Sequence, residues 1–146
     1  STYQGTNAKL SEYHSAVALA ALDSYQDHRY RLQKVAETYR HTLEELKLSY
    51  PTGFGTTWLA LTFSFLLPDG INISDTEKYF QENGIQTRRW WGQCHKMKIN
   101  QNFQSLGQLP NTKYLYNKTL GLPFGTFLYE HEDLDKVCHK LHQLFI

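Results

Sequence analysis

The chain has 146 residues, which is enough for one domain that buries about 68–70% of its unfolded surface. Fifteen Lys plus Arg against 14 Asp plus Glu give a net charge of +1, and this balance argues against a nucleic-acid surface with its clustered basic excess. Two cysteines are too few for a secreted disulfide framework, and the longest apolar run is too short to span a bilayer. We therefore expect a soluble cytoplasmic protein.

The first segment, residues 5–23, is predicted to be a polar entry followed by an amphipathic helix. Leu10, Tyr13 and Val17 recur at the three-and-four spacing of one helical face. Asn7 lies ahead of the helix, where a short polar side chain can cap the first free N–H groups. On pattern alone, the segment predicts an N-capped helix that packs in the core.

A longer helix is predicted for residues 24–48, and Pro51 is expected to end it. Eight positions alternate steps of three and four, which is heptad spacing, although Arg29 and Ala36 weaken the apolar seam. These positions are Leu22, Tyr25, Arg29, Leu32, Ala36, Tyr39, Leu43 and Leu46. The pattern favours packing against a partner helix of the same fold. Pairing with another chain, as in a non-enzymatic interaction domain, is the alternative.

Residues 51–146 alternate between strand and helix signals. Strict alternation of apolar residues predicts a strand at 57–67, and Ser74 with Glu77 forms a capping box for a short helix. The remaining expectations are a strand at 85–89, a loop at 90–110, a helix at 111–120, a weak strand at 122–129 and a final helix through Leu134, Val137, Leu141 and Leu144. The sequence therefore predicts a single α/β domain, with residues 1–50 as a helical connector and 51–146 as an α/β layer.

The segment 87–91, reading Thr-Arg-Arg-Trp-Trp, and the nearby His95 form the most distinctive polar cluster. The plainest interpretation is a strand end with interfacial tryptophans and solvated arginines. An RNA-stacking patch is a second possibility, which the neutral charge balance disfavours. A third is a zinc site, if Cys94 and His95 meet the Cys138-His139-x-x-His142 run. A small buried thiol is the commoner fate of a residue such as Cys138 on an apolar helix face.

Five motifs in order resemble the DegT/DnrJ/EryC1/StrS family, the pyridoxal-phosphate-dependent sugar aminotransferases of fold type I. They are Gly-x-Asn-x-Lys-Leu-Ser-Glu at 5–12, Leu-Pro-Asp-Gly at 67–70, Gly-Ile-Gln-Thr-Arg-Arg-Trp-Trp at 84–91, Leu-Gly-Leu-Pro at 120–123 and Asp-Leu-Asp-Lys-Val at 133–137. The resemblance covers nearly the whole chain but only the C-terminal portion of the family's longer chain. We therefore expect a fragment that lacks the larger cofactor-binding domain.

The resemblance implies an enzyme that transfers an amino group, with glutamate as donor, to a nucleotide-linked keto sugar. It implies a homodimer in which Asn7 reaches the phosphate of the neighbouring subunit's pyridoxal phosphate. It further implies that Arg88 and His95 bind the substrate, with the Arg88 guanidinium forking onto the diphosphate. None of the ten lysines lies in the family's Ser-Phe…Lys context for holding the cofactor. No catalytic residue is therefore assigned, and the chain alone is expected to be inactive.

Overall fold

A computed structural model describes residues 9–90, 92–100, 102 and 107–146. Within these residues, five α-helices and a two-stranded antiparallel sheet make up the fold, which confirms the α/β class. The helices are α1 (Glu12–Asp23), α2 (Tyr25–Glu45), α3 (Ile73–Glu82), α4 (Pro110–Lys118) and α5 (Glu132–Phe145); the strands are β1 (Phe63–Leu66) and β2 (Thr119–Leu122). Three 3-10 turns occupy Cys94–Lys96, Lys98–Asn100 and Thr126–Leu128. No described helix is both long enough and apolar enough to cross a membrane.

Helix α1 forms as predicted, but it is not a core helix. Its N-cap is Ser11, whose hydroxyl oxygen accepts a hydrogen bond from the His14 N–H at 3.3 Å. The predicted cap, Asn7, lies outside the described residues. No side chain of α1 is buried, and Leu22 is 72% exposed. The expectation of core packing is wrong for this chain, because no described element covers the apolar face.

Helix α2 is buried only along its C-terminal half. Its buried residues are Val35, Ala36, Tyr39, Thr42 and Leu43. The first half of the heptad pattern, including Leu22, Tyr25 and Arg29, is exposed. The helix ends at Glu45, three residues before the predicted end, because Lys47 adopts a left-handed conformation (φ 56°) and the Leu48 N–H bonds to the Leu43 carbonyl at 2.8 Å.

The sheet is shorter than the alternation of residues 57–67 predicts. Hydrogen-bonded turns at 53–58 replace the beginning of the predicted strand; in one of them the Thr57 N–H donates to the Gly53 carbonyl at 2.9 Å. Strand β1 keeps the buried alternation of Phe63 and Phe65, whereas Leu61 is 83% exposed. Strand β2 pairs with it in the register Phe63↔Leu122 to Leu66↔Thr119. The predicted strand at 85–89 is reduced to one bridge, Arg88↔Gly121.

Two helix boundaries differ from the predictions, and one helix is confirmed. Helix α3 is capped by Asn72, whose side-chain oxygen accepts from the Ser74 N–H at 2.8 Å, so the capping box at Ser74 and Glu77 is wrong. Helix α4 ends at Lys118, two residues before its predicted end, and β2 covers Thr119–Leu122. The strand predicted at 122–129 is therefore wrong beyond Leu122, because Thr126–Leu128 forms a 3-10 turn. Helix α5 buries Leu134, Val137 and Leu141, as predicted.

The core joins the buried half of α2 to the sheet. The Tyr39 ring stacks on Phe63, with the ring centres 5.0 Å apart and the planes at 5°. Its hydroxyl donates to the Pro123 carbonyl oxygen at 2.7 Å, immediately after β2. Phe54 and Phe124 complete this aromatic cluster against Phe63. The cluster holds the C-terminal end of β2 in place, and the candidate site lies next to this end.

Candidate functional site

Arg88 lies at the edge of the sheet, next to β2. Its N–H donates to the Gly121 carbonyl at 3.0 Å, and the Gly121 N–H donates to the Arg88 carbonyl at 2.7 Å. The Trp90 indole covers Gly121 so closely that a Cβ added to this glycine would lie 2.3 Å from the indole Nε1. The short bridge at Arg88 and the contact at Gly121 hold this segment against β2.

The Arg88 side chain is exposed and borders a small groove, here named the Arg88 groove. Its guanidinium carbon lies 5.4 Å from the centre of the Trp90 ring, within the range of a cation–π contact. The groove has a volume of about 300 Å³. It is lined by Leu61, Thr62, Gln86, Arg88, Trp90, Gly121, Leu122, Pro123, Phe124 and Phe127. Among the described residues that line the groove, Arg88 is the one that carries a charge.

A single arginine in an aromatic, weakly polar wall suits an anionic ligand. The guanidinium offers a planar fork of N–H donors that matches two oxygens of a phosphate or carboxylate. The rings of Trp90, Phe124 and Phe127 offer faces for an apolar or ring-shaped portion of the same ligand. The sequence had singled out Arg88, but it gave no indication of the partners from residues 61–62 and 121–127, which meet it only through folding.

Arg89 points to the other side of the same segment, towards α3. Its Nε donates to the Glu77 Oε2 at 2.9 Å, and its Nη2 donates to the Ser74 hydroxyl at 2.9 Å. The side chains of Arg89 and Glu77 are only 27% and 30% exposed, and the hydrogen bond to Glu77 raises the pKa of Arg89. Arg89 is therefore not the solvated arginine of the plainest interpretation.

His95 lies in the 3-10 turn Cys94–Lys96 and is half-buried. The turn is held by the Asn100 Nδ2, which donates to the Cys94 carbonyl at 2.7 Å, and by the Lys96 N–H, which donates to the Gln93 carbonyl at 2.8 Å. The structure does not place His95 in the lining of the Arg88 groove. Asn7, the third predicted site residue, is outside the described part of the chain.

The zinc alternative has no support in the described residues. They contain no group of three or more His, Cys, Asp or Glu side chains placed to hold a metal ion. Cys94 is exposed, while Cys138 is half-buried on α5. Burial raises the pKa of the Cys138 thiol, and this favours its neutral form. Cys138 is thus a half-buried thiol that packs against the core, rather than the fully buried one that its sequence position predicts.

A second, larger groove runs along the exposed half of α2 and is here named the α2 groove. Its volume is about 940 Å³, and it lies between the helix, residues 55–61 and residues 124–127. Tyr25, Trp58 and Phe127 contribute exposed aromatic surface to it. Sequence reasoning missed this groove, since it had assigned the same stretch of α2 to a buried seam.

Comparisons with known proteins agree on one family. The chain matches solved aminotransferases over nearly its full length. One is a DegT DnrJ EryC1 StrS aminotransferase from Brucella abortus, which is 20% identical in sequence and superimposes with a TM-score of 0.76. The match covers 99% of this chain and 40% of the Brucella chain. Another solved structure is NtdA from Bacillus subtilis with the bound cofactor PMP, which is 19% identical and superimposes with a TM-score of 0.74. The match covers 97% of this chain and 34% of the NtdA chain.

A third solved structure is DesI in the presence of its TDP-sugar product, which is 25% identical and superimposes with a TM-score of 0.76. The match covers 95% of this chain and 36% of the DesI chain. The chain thus spans about two-fifths or less of each of these three relatives. A search of curated proteins found no match. The model of the DegT/DnrJ/EryC1/StrS aminotransferase family matches residues 1–142, and we conclude that the chain belongs to this family.

Proposed function

We propose that this chain works as the C-terminal part of a longer aminotransferase that uses pyridoxal phosphate. The reaction moves an amino group from glutamate to a nucleotide-linked keto sugar, in a cytoplasmic homodimer. Residues 1–50 serve as the helical connector and residues 51–146 as the α/β layer. Support comes from the family match over residues 1–142 and from two relatives, one solved with bound PMP and one with a TDP-sugar product.

The observation that carries the substrate assignment is the placement of Arg88. Among the described residues that line the groove, it is the one that carries a charge, and the same lining presents Trp90 and Phe124. A nucleotide sugar matches both features of the groove, because its diphosphate requires a cation and its rings can stack on aromatic faces. We assign Arg88 to the diphosphate. His95 is proposed to bind the same substrate from its neighbouring turn.

We propose that this chain does not hold pyridoxal phosphate alone, since none of its lysines lies in the family's Ser-Phe…Lys context. A lysine that holds this cofactor must reach it within a cleft, and no lysine lines the Arg88 groove. Lys118, the least exposed lysine of the described ion pairs, is bonded to the Pro68 carbonyl and Asp69. When bound, the cofactor supplies the chemistry of amino-group transfer. In the proposed homodimer, Asn7 of one subunit would bind the phosphate of the cofactor that the other subunit holds.

Separate kinetics of the two half-reactions test this proposal in the full-length enzyme. The phosphates do not react, so their contacts are equal in ground state and transition state. Arg88→Ala should raise KM for the nucleotide sugar about tenfold to a hundredfold, from the loss of a charged hydrogen bond worth about 1.5–3 kcal/mol, and leave kcat nearly unchanged. His95→Ala should act in the same direction. The half-reaction with glutamate should barely change.

Two variants serve as controls for this experiment. Arg88→Lys keeps the charge but loses the planar fork, and we expect an intermediate KM. Lys78→Ala removes a positive charge from the exposed Glu82 pair on α3 and should leave both half-reactions intact. Equal damage by Arg88→Ala to both half-reactions would show that the residue shapes the cofactor site, and the substrate assignment would be wrong.

A further inference from the structure

The three residues from Arg88 to Trp90 divide between two faces of one segment. Arg88 and Trp90 meet each other on the groove side, with the guanidinium over the indole ring. Arg89, between them, reaches α3 on the opposite side. This is the side-chain alternation of an extended segment, in which neighbours point to opposite faces. Anything that fixes Arg89 therefore also fixes the orientation of the two residues that border the groove.

Arg89 is fixed more firmly than a surface arginine. Two of its nitrogens bond to two side chains that lie one turn apart on α3, Ser74 and Glu77. Both members of the ion pair are mostly buried, in contrast to the exposed pair of Lys78 and Glu82 on the same helix. A partly buried, two-point contact loses less side-chain entropy per bond than an exposed one and is less screened by solvent.

The backbone bridge alone does not fix the orientation of these side chains. Arg88 meets Gly121 in a single isolated bridge rather than in a strand ladder. One pair of backbone bonds sets the distance of the segment from β2, but it resists rotation about the segment axis less than a continuous ladder does. The contact with α3 supplies a second attachment, on the face opposite the groove.

We infer that Arg89 is a positioning residue for the substrate site: its contacts to Glu77 and Ser74 anchor the segment to α3 and so hold Arg88 and Trp90 towards the groove. This inference rests on the proposed function of Arg88. Arg89 itself touches no substrate. The sequence run Arg-Arg thus contains one binding residue and one anchoring residue, and Glu77 is part of the anchor rather than of a capping box.

Kinetics of the full-length enzyme provide the first test, with variants that keep size and most packing. Glu77→Gln and Arg89→Lys should each raise KM for the nucleotide sugar by about threefold to tenfold, a part of the effect of losing Arg88 itself, with kcat unchanged. The double variant should be no worse than the more damaging single one, because both changes break the same contact. Glu82→Gln, which breaks the exposed pair of α3, should leave KM unchanged.

A structural measurement on the full-length enzyme separates this inference from the proposed function. The indole N–H resonance of Trp90, identified by its loss in Trp90→Phe, should shift or broaden in Glu77→Gln and Arg89→Lys but not in Glu82→Gln. An unmoved resonance, or lower thermal stability with unchanged KM, would overturn the positioning role. A moved resonance together with a normal KM in Arg88→Ala would support the anchor and overturn the substrate assignment.

Discussion

Tyr39 is the residue that links the longest helix to the groove. It is fully buried, its ring stacks on Phe63, and its hydroxyl donates to the carbonyl of Pro123, which also lines the Arg88 groove. Burial raises the pKa of Tyr39 above its usual value of about 10, since the phenolate would lose its hydration. The neutral hydroxyl is therefore the form that the fold requires.

Tyr39→Phe should lower the free energy of unfolding by about 1 kcal/mol at pH 7, from the lost hydrogen bond. Above pH 10 the unfolded tyrosine releases its proton while the folded one keeps it. The unfolded state then binds fewer protons, so the unfolding free energy falls as pH rises, by up to about 1.4 kcal/mol per pH unit. The Phe variant lacks this contribution. Urea unfolding from pH 7 to 11 should show the two stability curves converging and then crossing.

The matched control for Tyr39 is Tyr114→Phe, at a position that is 52% exposed on α4. At pH 7 its unfolding free energy should equal that of the unmodified chain, because an exposed hydroxyl keeps its hydration in the folded state. Other ionising groups are common to all three proteins and cancel in the differences. A stability difference between Tyr39→Phe and the unmodified chain that is constant with pH would contradict the burial argument.

At the scale of elements, β2 contains a glycine where a strand would normally carry a larger residue. Gly121 is buried, and its need for glycine is spatial, because the Trp90 indole and the Arg88 carbonyl both approach it closely. Glycine weakens a strand interior unless another group uses the space. Here the space admits the indole that forms one wall of the groove.

Gly121→Ala should destabilise the chain by about 1–3 kcal/mol through overpacking and displace Trp90. Urea unfolding measures the stability, and the Trp90 indole resonance reports the displacement. Trp90→Ala should relieve most of the clash. The double variant should therefore cost less than the sum of the two single ones. Strict additivity would show that the indole does not determine the requirement for glycine.

The elements also show how far periodicity predicts the fold. Spacing correctly predicted the apolar face of α5 and the alternation of Phe63 and Phe65, because both meet the core formed within this chain. It failed on the burial of α1, since periodicity describes a face but not the surface that covers it. Arg88 and Arg89 are identical in type and adjacent, so only the tertiary position of α3 distinguishes them.

At the scale of the whole molecule, α1 and the first half of α2 carry a large share of the exposed apolar side chains of the described residues. Exposed apolar side chains of α1, including Tyr13 and Val17, are continuous in sequence with the exposed half of α2 and its 940 Å³ groove. Exposed apolar surface on this scale is typical of a face that another part of an assembly covers. The proposed homodimer would use such a surface, and it would bring the segment before α1 to the neighbouring subunit.

Asn7→Ala in the full-length enzyme should weaken retention of pyridoxal phosphate while leaving the fold largely intact. The loss of a hydrogen bond to a charged phosphate costs about 1.5–3 kcal/mol, or about tenfold to a hundredfold in affinity. Cofactor absorbance after gel filtration measures retention, and circular dichroism reports the fold. Asn72→Ala would not be a suitable control, because Asn72 caps α3; Asn111→Ala, at an exposed position of α4, is one.

Mixed dimers decide whether Asn7 acts on its own subunit or on the neighbour. One dimer carries Asn7→Ala on one chain and a replaced cofactor-binding lysine on the other. If Asn7 acts in trans, the intact lysine and the intact Asn7 meet in one site, and that site retains cofactor with normal affinity. A second dimer carries both lesions on one chain, so its single intact lysine faces the altered Asn7 and should retain cofactor about tenfold to a hundredfold more weakly. The reverse ranking of the two dimers would place Asn7 in the site of its own subunit.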